Sequence, residues 1–349
     1  MRSKWLFVAL TAVATAAAAA AHYAKVTSGL TFVLATIALA GLAWVVSFAT
    51  EQVGERFGPA VTGVLQSTLG NLPEFFIVIF ALSAGQVVVA QTSIVGSVFA
   101  NALLVLGLVI MVGSHAEGDG VMRFGVRLPK DNAILLTLTS FLIVLVGISS
   151  ATNDRASHHI EAISVAGALA LLVTYTVWLV DYLRSDIPAE PATHRTPELS
   201  MTAALVLLGI GGVGAAFVSD WFISSLTPTM DRLGIPPAFA GLVIVAIAGN
   251  AVENTAGLVL ARKQQSDLAI SVVKNSVAQI TAFLFPALVL VSLFFDTRLT
   301  FALEPVLIGA LALTAVVLWF ITSDGEATMF EGVALVALYV ILAVLVFYE

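Results

Sequence analysis

The sequence contains no cysteine and few charged residues. Without cysteine, the chain forms no disulfide, has no thiolate nucleophile and cannot hold a metal through sulfur. Only 11% of its residues are charged, whereas a soluble domain carries roughly 25%. The net charge of -7 gives no basic surface for nucleic acid. These absences exclude thiol enzymes, cysteine-ligated metal proteins and nucleic-acid-binding proteins, and they leave little chain for a soluble domain.

Hydrophobic residues take the place of the missing charges. They make up 59% of the 349 residues, and the mean hydropathy is +1.03. We therefore predict an all-α integral membrane protein of about eleven helices, each near the ~20 residues that cross ~30 Å of hydrocarbon in a lipid bilayer. The predicted spans are 5–21, 29–49, 58–82, 88–113, 132–150, 160–181, 200–218, 237–261, 267–295, 301–321 and 329–347. A cleaved signal peptide is the alternative for the first of them.

A polar motif occurs twice within these apolar runs. The first copy reads GNLPE at 70–74 and then GSVFAN at 96–101, and the second reads GNAVE at 249–253 and then NSVAQ at 275–279. Glu74 and Glu253 are 179 residues apart, and so are Ser97 and Ser276. This shared offset indicates an internal duplication. A carboxylate at membrane depth predicts a functional site.

The duplication also predicts how the chain is divided. Residues 1–28 are an extra N-terminal helix, 29–181 the first five-helix repeat, 182–199 a cytoplasmic linker and 200–349 the second five-helix repeat, with repeat motifs at 70–107 and 249–290. Five spans in each repeat would invert the second copy relative to the first. Ten Lys and Arg residues then lie on the cytoplasmic side and four outside, which agrees with the positive-inside rule. We expect a prokaryotic cell (inner) membrane, with the N-terminus in the cytoplasm and the C-terminus outside.

The motif residues offer oxygen ligands. Asn71 and Glu74 are expected on one helix face, as are Asn250 and Glu253, and Pro73 frees a backbone carbonyl in the preceding turn. Carboxylate, amide and carbonyl oxygens suit hard cations such as Ca²⁺. Facing carboxylates in an apolar setting also favour the protonated form. A cation and protons can therefore compete for the oxygens of Glu74 and Glu253, which we predict to be the metal-binding residues.

Four further polar residues are candidates for the same site. They are Ser97, Asn101, Ser276 and Gln279. Each of them could instead hold helices together, as small polar residues often do in membranes. Gly96 and Gly107 are expected to be packing glycines. A purely structural role for the two glutamates is the alternative that the duplication argues against.

These segments resemble a known family. They look like the two alpha-repeats of the calcium/proton exchangers (CAX-type) of the cation/calcium exchanger superfamily. The first repeat corresponds to GNLPE with TSIVGSVFANALLVLG, and the second to GNAVENTAGLVLARKQQSDLAI with NSVAQITAFLFPALVLVS. The resemblance implies that Glu74 and Glu253 bind the cation and exchange it for protons. It also implies that the Asn, Ser and Gln residues of the repeats assist coordination or gating, and that the cytoplasmic cation is exported.

The second repeat departs from the family pattern at three positions. Asn254 stands where the family usually has His, and Asn275 stands where it usually has Gly. Lys274 is the one Lys or Arg well inside a predicted span. Its ammonium could lie near Glu253 and weaken divalent binding, or it could snorkel or pair behind the site. Helical geometry favours the second, so we predict that Lys274→Met keeps exchange and cation preference.

The sequence thus predicts a secondary active cation/proton antiporter without a cofactor, with Ca²⁺ and H⁺ as the transported ions and Ca²⁺ exported. An antiporter for a monovalent or another divalent cation is the alternative within transport. A membrane-embedded hydrolase that uses the carboxylate pair is an alternative of a different class, and a non-transporting scaffold is a third. The matched polar residues of the two halves argue against the last two.

Overall fold

The computed structural model describes residues 2–54, 56, 65, 69–184 and 197–349. Almost all of this chain is helical. The helices are α1 Arg2–Tyr23, α2 Ser28–Gly54, α3 Leu72–Ser83, α4 Val87–Ala116, α5 Arg127–Thr152, α6 Ile160–Arg184, α7 Met201–Leu233, α8 Pro237–Gly249, α9 Ala251–Arg262, α10 Ser266–Phe294, α11 Pro305–Thr322 and α12 Met329–Tyr348. A short 3₁₀ helix, Arg155–His159, precedes α6.

Nine helices of the described chain are long and apolar enough to cross a bilayer. The other two apolar helices, Leu72–Ser83 and Pro237–Gly249, are shorter and lie in the spans that carry the repeated motif. The predicted span 237–261 is broken at Asn250. Of the predicted span 58–82, residues 58–64 and 66–68 lie outside the described residues. The membrane character of the fold is confirmed, whereas the count of eleven uninterrupted helices is not.

Helix α7 is longer than the sequence indicated. Charged residues after position 218 marked the end of the predicted span, but the helix continues for 33 residues to Leu233. It ends where Gly234 takes φ 66°, a left-handed conformation that glycine adopts without strain. Charged residues at a membrane surface need not end a helix. At 1.5 Å per residue, α7 is about 50 Å long, which exceeds the ~30 Å of hydrocarbon.

One small β-sheet departs from the all-helical prediction. Strand β1, Val121–Arg123, pairs antiparallel with β2, Glu326–Thr328, and Met122 lies opposite Ala327. The strands join the loop after α4 to the loop before α12. The Gly125 amide also donates to an Asp267 carboxylate oxygen at 2.5 Å, which ties the first of these loops to the start of α10.

The chain forms two compact units. One comprises Met1–Ala84 and Thr176–Ile235, and the other comprises Gly85–Tyr175 and Pro236–Glu349. In the first unit α2 packs along α1 and α7, and α3 also packs on α7. In the second unit α5 packs on α11, α4 on α8 and α12, and α9 on α10. Each unit takes segments from both predicted repeats, and the repeat boundaries stay a prediction.

Candidate cation site

Both copies of the motif break a helix at the same residue. Asn71 has φ -84° and ψ 11°, and Asn250 has φ -94° and ψ 15°, close to the sparsely populated bridge region. Helices α3 and α9 begin at the next residue. Each Asn stands just before the first residue of its helix, and the Glu lies three residues later in the first turn. That each Asn shares a helical face with its Glu stays a prediction.

The first turn of a helix suits a carboxylate. The backbone N–H groups of this turn lack partners within the helix, and the helix dipole favours negative charge there. Glu74 lies in the first turn of α3 and is 6% exposed. Pro73 stands at the start of the same helix, where its missing N–H removes no bond of that helix. The local fold of the motif thus provides a buried place for negative charge.

A buried hydrogen-bond network connects the two halves of the second unit. The amide nitrogen of Asn101 donates to the Asn250 side-chain oxygen at 2.7 Å and to the Ser97 carbonyl at 3.0 Å. The amide nitrogen of Asn250 donates to the Ser97 hydroxyl and to the Ala246 carbonyl, each at 2.8 Å. Because a backbone carbonyl accepts and cannot donate, these contacts fix the orientation of both amides. Ser97, Asn101 and Asn250 therefore form one cluster, as their assignment to one site requires.

Some buried side-chain oxygens of the candidate residues in the second unit lack a hydrogen-bond partner among the described residues. They include the side-chain oxygen of Asn101 and the hydroxyl of Ser276. Buried polar atoms are normally hydrogen-bonded, so each exception needs an explanation. Gln279, one turn after Ser276 in α10, is also buried.

Close contact between two helices sets the position of Ser97. At Gly96 in α4, an added Cβ would collide with the Leu242 carbonyl of α8, and at Gly241 it would collide with Thr92 of α4. The backbones of α4 and α8 therefore touch one residue before Ser97. Gly107 of α4 faces Gly332 of α12, where an added Cβ would lie 2.7 Å from the Gly332 carbonyl. The prediction that Gly96 and Gly107 are packing glycines is confirmed.

No feature of the sequence predicted the π-helical turns beside the candidate residues. Residues Ala100–Val105 of α4 form one and include Asn101. Residues Ile280–Leu284 of α10 form another, directly after Gln279. Wide turns of this kind leave the regular hydrogen-bond pattern and frequently occur at functional sites. No residue type marks them, since they arise from tertiary packing.

The structure does not locate all eight candidate residues relative to one another. Asn71 and Glu74 belong to the first unit, whereas the other candidates belong to the second. Glu253 lies in the first turn of α9, but its side chain and that of Asn254 lie outside the described residues. Among the side chains that the structure describes, no group of three His, Asp or Glu could hold a metal. The roles assigned to the eight candidate residues remain predictions.

Lys274 and Asn275, the two other residues that depart from the family pattern, form hydrogen bonds to helices outside the motif. Lys274 is 3% exposed, and its ammonium donates to the Thr322 hydroxyl of α11 at 2.6 Å. The side-chain oxygen of Asn275 accepts from the Asn132 amide of α5 at 2.9 Å. Lys274 therefore pairs inside the protein and does not snorkel to the membrane surface.

Comparisons with known proteins agree with this architecture. The chain is 29% identical over 327 residues to the vacuolar calcium ion transporter of Schizosaccharomyces pombe, covering 91% of this chain and 79% of that protein. It is also 29% identical over 323 residues to the Ca²⁺/H⁺ antiporter ChaA of Bacillus subtilis, covering 91% of this chain and 92% of that protein.

Solved structures show the same fold. The structure of native YfkE superimposes with a TM-score of 0.83 and 26% identity, covering 98% of this chain and 100% of that one. The H⁺/Ca²⁺ exchanger CAX gives a TM-score of 0.75 at 14% identity, over 100% of this chain and 93% of that one, and supports the fold alone. The family model of the sodium/calcium exchanger protein matches residues 27–181 and 203–348. Since these segments make up most of the sequence, this integral membrane chain belongs to the sodium/calcium exchanger protein family.

Proposed function

We propose that this protein is a secondary active antiporter that exchanges Ca²⁺ for H⁺ and exports Ca²⁺ from the cytoplasm. Relatives that align over about nine-tenths of the chain are named as calcium transporters or Ca²⁺/H⁺ antiporters. The observation that carries the proposal is the repeated break at Asn71 and Asn250, which puts a glutamate in the first turn of a helix in each repeat. Broken helices with polar termini at membrane depth are how secondary transporters build ion sites.

In this mechanism Glu74 and Glu253 bind the cation and the protons in turn. Arrival of Ca²⁺ releases protons, because the two compete for the same carboxylate oxygens. The Asn101 side-chain oxygen and the Ser276 hydroxyl are the neutral ligands that we propose in the second unit. The hydrogen bonds of Ser97 and Asn250 make those two residues supports that orient Asn101. Asn71 and Gln279 are further oxygen ligands of the proposed site.

Lys274 removes one argument for the monovalent alternative. A buried ammonium that ends at Thr322 is committed to a neighbouring helix, so its presence in α10 is not a reason to expect a monovalent cation. The hydrolase and scaffold alternatives also lack a specific observation in their favour. We therefore retain Ca²⁺ as the cargo and proton exchange as the driving reaction.

The test is proton flux in proteoliposomes that contain a pH-sensitive dye, measured against Ca²⁺, Mg²⁺, Mn²⁺, Na⁺ and K⁺. We expect Ca²⁺ to produce the strongest proton movement. A response to Na⁺ or K⁺ without a response to Ca²⁺ would replace the proposal by the monovalent alternative. The absence of ion-dependent proton flux with all five would reject proton-coupled antiport.

A further inference from the structure

Helix α10 has a polar anchor on the side opposite its candidate ligands. At ~100° per residue, the centre between Ser276 and Gln279 lies about 170° around the helix from Lys274. Lys274, on this opposite side, donates to Thr322 of the supporting helix α11 in the same unit. One face of α10 thus carries the proposed site, and the other carries a hydrogen bond to a neighbouring helix.

The contact between Lys274 and Thr322 is geometrically defined. The Thr322 hydroxyl accepts from the Lys274 ammonium at 2.6 Å and donates its own proton to the Leu318 carbonyl at 2.7 Å. A hydroxyl has one proton to donate, so the bond to Leu318 directs its lone pairs toward the ammonium. Both residues are 3% exposed. The hydroxyl is therefore held ready to accept a hydrogen bond from α10.

A contact with α5 supports the same orientation. The Asn132 amide donates to the Asn275 side-chain oxygen at 2.9 Å. Helix α5 itself packs along α11. Rotating α10 by one residue would move the Lys274 ammonium away from Thr322 and the Asn275 side chain away from Asn132. Because a buried polar group that lacks hydrogen bonds costs free energy, the contacts select one rotation of α10.

We propose that Lys274, through its hydrogen bond to Thr322, is a positioning residue that fixes the rotation of α10 and thereby the direction of Ser276 and Gln279. The effect on transport rests on the proposed antiport, but the hydrogen bond itself does not. In this role the ammonium acts through the helix that it holds and does not contact the transported ion. Cation preference is then independent of Lys274.

The test compares Lys274→Met, Thr322→Val and the double variant in Ca²⁺ exchange. Each single variant is expected to raise the KM for Ca²⁺ about threefold, within the range by which residues remote from a ligand alter its binding. Vmax and cation preference should be unchanged, and the double variant should be no worse than either single variant. Thr322→Ser keeps the hydroxyl and should keep the KM. Thr314→Val is the matched control, because this buried hydroxyl of α11 donates to Ala310 within its own helix.

A second readout does not depend on transport. In detergent, the losses of Tm caused by Lys274→Met and Thr322→Val should not add in the double variant, since both remove one bond. Additive losses would overturn the anchor even if the protein does not exchange Ca²⁺. The positioning role would be overturned by a change of KM in Lys274→Met alone, by an equal change in Thr314→Val, or by a switch of preferred cation. Non-additive losses of Tm with an unchanged KM would support the hydrogen bond between Lys274 and Thr322. They would reject its role in positioning the site.

Discussion

At the scale of single residues, hydrogen bonds separate the neutral candidates by role. Asn250 uses its side-chain oxygen and its nitrogen within the cluster, so we assign it to support. Asn101 donates twice but keeps an oxygen without a partner among the described residues. The sequence treated both as equivalent ligands, because residue type alone does not show which atom is already bonded.

The glutamates carry the first prediction. Glu74→Gln and Glu253→Gln should each abolish Ca²⁺-dependent proton flux while expression stays intact. Gln keeps the shape and one oxygen, but it loses the charge and the exchangeable proton. Glu161→Gln is the control, because its carboxylate is 57% exposed beside Arg298. Wild-type exchange in either motif variant would disprove the paired-carboxylate mechanism.

The Asn250 amide carries the second prediction. Asn250→Asp replaces a donor with an acceptor, so an oxygen would face the Ala246 carbonyl and the Ser97 hydroxyl would lose its donor. We expect a loss of about 1–3 kcal/mol in stability from the buried groups left unpaired, together with reduced exchange. Thermal unfolding in detergent and flux in vesicles measure the two effects. Ser93→Ala, which removes a hydroxyl bonded to Ala90 within α4, should be close to wild type.

At the scale of elements, the site depends on where helices break and touch. The glycine contact between α4 and α8 brings Ser97 to Asn250. One π-helical turn contains Asn101, and another begins directly after Gln279. The short helices α3 and α9 start at the motif and present each glutamate in the first turn. The candidate ligands therefore lie on or beside irregular backbone that packed helices hold in place.

The close contact at Gly96 carries the third prediction. Gly96→Ala should separate α4 from α8, because the new methyl group would collide with the Leu242 carbonyl. Overpacking of this kind costs about 1–3 kcal/mol, and exchange should fall as well. In Gly209→Ala the added Cβ meets no atom within 4 Å, so this variant should be neutral or slightly stabilised. Equal losses of Tm in the two variants would contradict the close-packing account.

The sequence predicted the spans better than their interruptions. Hydropathy located the membrane helices, because the favourable transfer of apolar side chains into lipid decides which segments span the membrane. Pro73 indicated an irregular turn in the first copy, but the break at the Asn residues depends on backbone angles that composition does not specify. The partner of Lys274 was also beyond prediction. Helical geometry gave its direction, whereas Thr322 is 48 residues away in sequence and meets it only through tertiary packing.

At the scale of the whole molecule, the proposed mechanism couples two ions through one set of carboxylates. Two carboxylates outside the membrane spans, Asp119 and Asp154, do not supply the exchanged protons, because they do not titrate near neutral pH. The hydrogen bond from Arg123 holds the pKa of Asp119 below its usual value, and the hydrogen bond from Ser149 does the same for Asp154. Groups with lowered pKa lose their charge only as the pH falls below the ordinary carboxylate range near pH 4. Both stay ionised between about pH 6 and pH 8.

The pH dependence of transport is the fourth prediction. Acid on the cation-loading side should raise the apparent KM for Ca²⁺, by up to about tenfold per pH unit for each competing proton. Burial, with the charge of Glu349, raises the pKa of Glu304, so this carboxylate is a rival source of the pH dependence. Because the account assigns the effect to the motif glutamates, Glu304→Gln should keep the wild-type pH dependence. A KM that is constant between about pH 6 and pH 8 would contradict a shared site for Ca²⁺ and protons.

Calorimetry tests the central claim, that Ca²⁺ displaces protons from the motif glutamates, most directly. Binding of Ca²⁺ to the purified protein is measured in two buffers of equal pH and different ionisation enthalpy, and the difference in heat gives the protons released. The account predicts net proton release on Ca²⁺ binding by the wild type, and less release, with weaker binding, in Glu74→Gln and Glu253→Gln. Ca²⁺ binding whose heat is the same in both buffers, or equal proton release in the variants, would contradict it.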